Sequence, residues 1–171
     1  MPDFYGTVAE ADVYHADRGN AGWTGRTIDK DAALLRASIY VDSVGRKQLK
    51  NGTWVTMFPG SKAGGRAQLL DWPRTGAVDY EGNTIGDAEV PIEVRQATYE
   101  AALRELVTPG SLTPDYVPSE QVKREKAGPW EEEYFAPADG TIPNRPIVTV
   151  ILDLLAPVMI SRSLGLAIVV V

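Results

Sequence analysis

Few residues in this chain of 171 could carry covalent or metal chemistry. There is no cysteine, which removes a disulfide, a thiolate nucleophile and a thiolate metal site. His15 is the sole histidine. A histidine metal cluster within one chain is therefore excluded, and a Ser-His-Asp triad would have to use that residue. Placed on or near the surface of a short helix, His15 is expected to be a partly buried imidazole bonded to backbone rather than a ligand or a base. Gly60-Ser61-Lys62-Ala63-Gly64-Gly65-Arg66 has the glycines and the lysine of a phosphate loop, but the GxxxxGK[ST] spacing is absent and no strand clearly precedes it. No acid/base pair, nucleophile or metal set has recognisable spacing, so the chain reads as a non-enzyme with no cofactor or metal.

Charge gives the next constraint. The net charge is −6. Such a balance argues against a phosphate-gripping surface, which normally needs a basic face. Charge is dense in two runs, 121–126 and 130–135, joined by Ala127-Gly128-Pro129. Turn chemistry favours a β-hairpin there, with Lys123, Arg124 and Lys126 set against Glu131, Glu132 and Glu133. A lone two-stranded ribbon is marginal in water, so this one is expected to lean on another chain. Val122, Lys123, Arg124, Trp130, Glu132 and Tyr134 are its candidate interface residues, with Trp130 as anchor.

The elements that would position these residues are mostly helical. Thr7 and Glu10 form a capping box for a helix over 8–17, with Ala9, Val13 and Ala16 on one face and Gly19-Asn20 as the stop. Trp23 anchors the following loop. A stronger helix, capped by Thr27 or Asp29, runs to about Val44. Leu34, Leu35, Ala37, Ser38, Ile39 and Val41 form its apolar stripe, while Asp31, Arg36 and Asp42 lie off its centre. Residues 46–66 read as a polar, Gly-rich loop. A third helix starts near Pro91, carries Ile92, Val94, Ala97, Ala101, Leu103 and Leu106, and ends at Thr108-Pro109-Gly110. A last helix spans roughly 147–155 and is broken at Pro157.

Between the second and third of these lies Gln68-Leu69-Leu70-Asp71-Trp72-Pro73-Arg74-Thr75-Gly76. Pro73 ends a short helix at or before Trp72, and Gly76 lets the chain turn away. Leu69, Leu70, Trp72, Pro73 and Arg74 form a core bend, a plug between helices, with Arg74 paired to Asp71 or Asp79. The fold class is mainly α: a small helical bundle with an appended β-hairpin and an extended, strand-like C-terminal tail. The bundle covers 1–157 and the apolar tail 158–171. Leu164, Leu166, Ile168, Val169 and Val170 make that tail an exposed edge in need of a partner. Asp153, Pro157 and Arg162 interrupt the apolar C-terminal region, last helix and tail together, too often for a membrane span. The N-terminus lacks the pattern of a signal peptide, so the protein is expected to stay in the compartment where it is made.

These pieces together resemble a phage family. The resemblance rests on Ala9-Glu10-Ala11-Asp12-Val13-Tyr14-His15 with Arg18-Gly19-Asn20 and Trp23, and on Ala32-Ala33-Leu34-Leu35-Arg36-Ala37 with Tyr40-Val41-Asp42. It is strongest at Leu70 to Gly76, Ile85, Glu89-Val90-Pro91 and Ala97 to Ala102, and continues through Val122-Lys123, Glu125 to Pro129 and Glu133-Tyr134. It spans about residues 5–157. The family is similar to the head–tail connector (adaptor) proteins of long-tailed phages and gene transfer agents, and its members are frequently labelled DnaT-like single-stranded-DNA-binding proteins. The adaptor label implies a homo-oligomeric, twelve-copy ring under the portal protein that receives a tail or stopper protein in the virion neck. DNA would then pass through the lumen without specific binding. The negative charge and scattered basic residues favour that label over single-strand binding, which needs a basic groove with stacking aromatics. The segment 50–66 and the tail after Ser161 depart from the pattern.

Overall fold

The computed structural model describes residues 4–49, 51–114, 124–127, 130–133 and 148–160, the pair of strands within 124–133 by backbone alone. Four helices and three antiparallel strand pairs make up these residues. Helix α1 is Val8–Asp17, α2 is Thr27–Val44, α3 is Ile92–Val107 and α4 is Thr149–Leu155. Strands β1 (Arg46–Gln48) and β2 (Trp54–Thr56) form one ribbon. A second joins β3 (Ser61–Lys62) to β4 (Arg74–Thr75), and a third joins β5 (Arg124–Ala127) to β6 (Trp130–Glu133).

α1 starts as its residues demand: the Thr7 hydroxyl accepts from the Glu10 N–H at 3.1 Å. Its buried face, however, is Ala11, Tyr14 and His15, with Val13 exposed. The aromatic pair wins the interior because Tyr14 reaches α3, where its hydroxyl donates to Glu100. α2 and α3 form the main helix pair, α4 packs on α3, and α1 touches both long helices. Leu34, Ala37 and Val41 on α2 and Val94, Ala97 and Ala101 on α3 are completely buried. Alanines at three of these positions, Ala37, Ala97 and Ala101, add little bulk to the seam between the two helices. Leu35 and Ile39 instead face solvent.

The bend of residues 68–76 departs from the expectation of a helix end. Before it lies only one 3-10 turn, Gly65–Ala67. Trp72 is buried with its ring 5.7 Å from Phe58, and Leu70 and Pro73 are also buried, so the plug stands. Leu69 does not belong to it, being 67% exposed. Arg74 makes no ion pair among the described residues. Its guanidinium is buried and donates to three carbonyls: Pro59 at 2.6 Å, Gly60 at 2.7 Å and Asp71 at 3.1 Å. That satisfies a buried cation with backbone oxygens and ties the bend to the start of β3. Gly60 is needed at this junction, since it has φ +66° and a Cβ there would collide with the Thr75 carbonyl.

The expected hairpin near residue 128 is present as β5 and β6, with Arg124 opposite Glu133 and Lys126 opposite Glu131, though Glu125 faces Glu132. Val122, Lys123 and Tyr134 lie outside the described residues, as do Leu164, Leu166, Ile168, Val169 and Val170 of the tail. α4 is shorter than expected and passes into a 3-10 turn at Ala156–Val158. No helix among the described residues is long and apolar enough to cross a membrane.

Candidate nucleic-acid interface

The charge of this chain is distributed unevenly. Residues 46–70 contain Arg46, Lys47, Lys50, Lys62 and Arg66 and not one Asp or Glu. The whole chain is −6, so the rest of it carries −11 around this stretch of +5. The segment read as a Gly-rich loop is instead built into two hairpins. Gly45 ends α2 and β1 follows directly. Phe58 is completely buried and its ring lies where a Cβ of Gly45 would stand, which pins the ribbon against the end of α2. The Met57 N–H donates to the Gly45 carbonyl at 2.7 Å, and the Met57 carbonyl accepts from the Ile160 N–H at 2.6 Å.

Side chains directly opposite in an antiparallel pair share a face. The pairs Arg46–Thr56 and Gln48–Trp54 therefore put Arg46, Gln48, Trp54 and Thr56 on one face of the ribbon, and Lys47 with Val55 on the other. Trp54 is 57% exposed. An indole left so far out contributes nothing to the core, but it offers a flat π-face beside cations. In the second hairpin, Gln68 fixes the loop by accepting from the Gly64 N–H at 2.8 Å and donating to the Leu70 and Pro73 carbonyls at 2.9 and 3.0 Å. Arg66 stands exposed on that loop. Among the described residues, Lys47 and Arg66 form no salt bridge.

Beneath the ribbon root lies a buried polar cluster. Asp42 accepts the Tyr5 hydroxyl at 2.5 Å and the Asp71 N–H at 3.0 Å, and the Tyr5 oxygen accepts the Trp72 N–H at 3.0 Å. Burial, the largest cause, pushes the Asp42 carboxyl up to about 6, with the Asp71 charge adding to it. Burial and the adjacent Asp42 also push the Tyr5 hydroxyl far above its ordinary value. Asp71 in turn holds Lys62 at 2.9 Å and Arg46 at 3.4 Å. Asp42, expected off the centre of the apolar stripe of α2, is buried. Tyr5, from the segment before α1, comes in to cover it.

His15, expected to be partly buried, is almost completely buried. Its Nδ1 lies 3.0 Å from Asn20 Nδ2 and its ring 4.6 Å from Trp23. Burial lowers its pKa. Among the described residues there is no group of His, Asp or Glu arranged to hold a metal ion. Residues 46–66 offer cations and an exposed indole beside the C-terminal end of α2, an arrangement that can hold a flexible polyanion whose bases stack.

A family model described as "Putative DnaT-like ssDNA binding protein" matches residues 2–171. The chain belongs to this family. No curated protein and no solved structure matches it. The family description corrects the expectation of a structural head–tail adaptor, since it names the single-strand-binding alternative. The error has a physical source. Net charge is a sum over the whole chain, and here the acidic helices and turns conceal a basic pair of hairpins.

Proposed function

We propose that this member of the DnaT-like family binds single-stranded DNA through residues 46–70, acting as a binding protein rather than an enzyme. Lys47 and Arg66, with Lys50 of the same segment, contact backbone phosphates, and Trp54 stacks on a base. One observation carries the reading: the +5 segment of an acidic chain also presents an exposed tryptophan, Trp54, on the ribbon face it shares with Arg46. Basic grooves with stacking aromatics are how proteins hold single strands without sequence preference. The acidic remainder keeps DNA away from the helical body and directs it to this end.

Tryptophan fluorescence tests this. An oligodeoxythymidylate that stacks on Trp54 should quench a part of the emission, and Trp54→Phe should abolish that part, while the buried Trp23 and Trp72 keep theirs. Quenching of equal size in Trp54→Phe would remove Trp54 from the interface.

A further inference from the structure

The two basic side chains at the root of the ribbons are held by the same carboxylate in different ways. Lys62 Nζ lies 2.9 Å from Asp71 Oδ1 and also donates to the Gln68 and Leu69 carbonyls at 3.3 and 3.4 Å. All three ammonium protons are thereby used. Arg46 contacts Asp71 through Nε and Nη2, both at 3.4 Å, and Asp42 at 3.9 Å. These are long for charge-assisted bonds, which usually close to about 2.7–2.9 Å. The Arg46 side chain is 49% exposed, whereas that of Asp71 is only 7% exposed. Lys62 is thus the built-in counter-ion of Asp71, and Arg46 is a loosely held second cation on the solvent side.

We propose that Arg46 is a releasable phosphate contact and that Asp71 is the resident anion which a DNA phosphate replaces. This inference rests on the binding surface proposed above and adds a subsite to it, one that takes a phosphodiester oxygen. Removing one partner of a buried ion pair ordinarily strands the other charge at high cost. Here Lys62 remains on Asp71 when Arg46 leaves, and the Asp42 oxygens keep Tyr5 and the Asp71 N–H. Release of Arg46 therefore leaves no bare carboxylate. Its place on the Trp54 face of β1 directs the freed guanidinium to a strand stacked on the indole.

A double-mutant cycle on affinity for an oligodeoxythymidylate tests this, using the full chain with Asp71→Asn, Arg46→Gln and the pair together. Asp71→Asn should tighten binding roughly two- to fivefold, the worth of a partly exposed ion pair. That gain should vanish in the Arg46→Gln background. Arg46→Gln alone should flatten the salt slope by about 0.7, one single-strand phosphate contact. If Asp71→Asn tightens binding equally with and without Arg46, the effect is general charge and the proposal is wrong. It is also wrong if Asp71→Asn leaves affinity unchanged while the wild type binds DNA in a Trp54-dependent manner. Wild-type protein that binds no DNA would overturn the binding surface and this subsite together. Should Asp71→Asn not fold, Arg46→Gln decides alone: an unchanged salt slope refutes the subsite.

Discussion

Trp54 stands directly opposite Gln48 across the first ribbon, with Arg46 two residues back on the same face. The indole is therefore held by strand pairing rather than by packing, free to stack on something other than the protein. Trp54→Ala should weaken single-strand affinity by about 5- to 150-fold, the range for losing one aromatic–base stack of about 1–3 kcal/mol. The melting temperature should barely move, because the ring is mostly exposed. Equilibrium titration beside a thermal melt reads both. A large fall in melting with unchanged affinity would make Trp54 a fold residue instead.

Trp72 and Leu69 lie three positions apart and should behave oppositely. Trp72 is 2% exposed and Leu69 67%. Trp72→Ala is expected to cost about 3–5 kcal/mol, as for other buried aromatic truncations. Leu69→Ala should stay within about 0.5 kcal/mol. Denaturant unfolding of both variants checks this, and similar losses at the two positions would contradict the arrangement of the bend.

How much of this was legible beforehand depended on the range of the interactions involved. α1 announced itself through Thr7 and Glu10 and α3 through Pro91, local signals within one turn of a helix end, whereas the cap expected of Thr27 or Asp29 on α2 is absent, its N-cap being Arg26. Burial of Trp72 could be anticipated from its size and its proline. What could not be read was anything decided by a distant partner. Asp42 is interior because Tyr5, 37 residues away in sequence, donates to it. Arg74 was expected to seek a carboxylate and found the carbonyls of Pro59 and Gly60 instead, which only the β3–β4 pairing brings near. The interface was missed for another reason. A run from Arg46 to Leu70 free of acidic residues was visible in the sequence, and a windowed charge count rather than the total would have marked it.

Asp42 gives a pH signature of a definite sign. Its carboxyl is raised from the ordinary 3.8 to about 6 in the folded chain. Between those values the folded state binds more protons than the unfolded one, so this group adds stability as pH falls and loses it as pH rises through about 6. His15 acts oppositely: burial depresses its pKa below 6.5, so its contribution is present at higher pH and fades on acidification below that value. Asp42→Asn keeps an acceptor for Tyr5 but sets an amide against the Asp71 N–H, costing about 1–3 kcal/mol. Its deficit against wild type should be larger at pH 5 than at pH 8, since only the wild type gains from protonation. Melts of both proteins across that interval measure it, and a deficit that narrows on acidification would refute the assignment.

The most direct test of the account is the salt dependence of single-strand binding. Fluorescence anisotropy of a labelled oligodeoxythymidylate should show saturable binding at about 50 mM salt, weakening as salt rises. Two phosphate contacts from Lys47 and Arg66 predict a log–log slope of about −1.4 or steeper. The double variant Lys47→Gln/Arg66→Gln should flatten that slope by about 1.4. No binding at low salt, or binding indifferent to salt and to these two residues, would contradict the claim that residues 46–70 hold DNA.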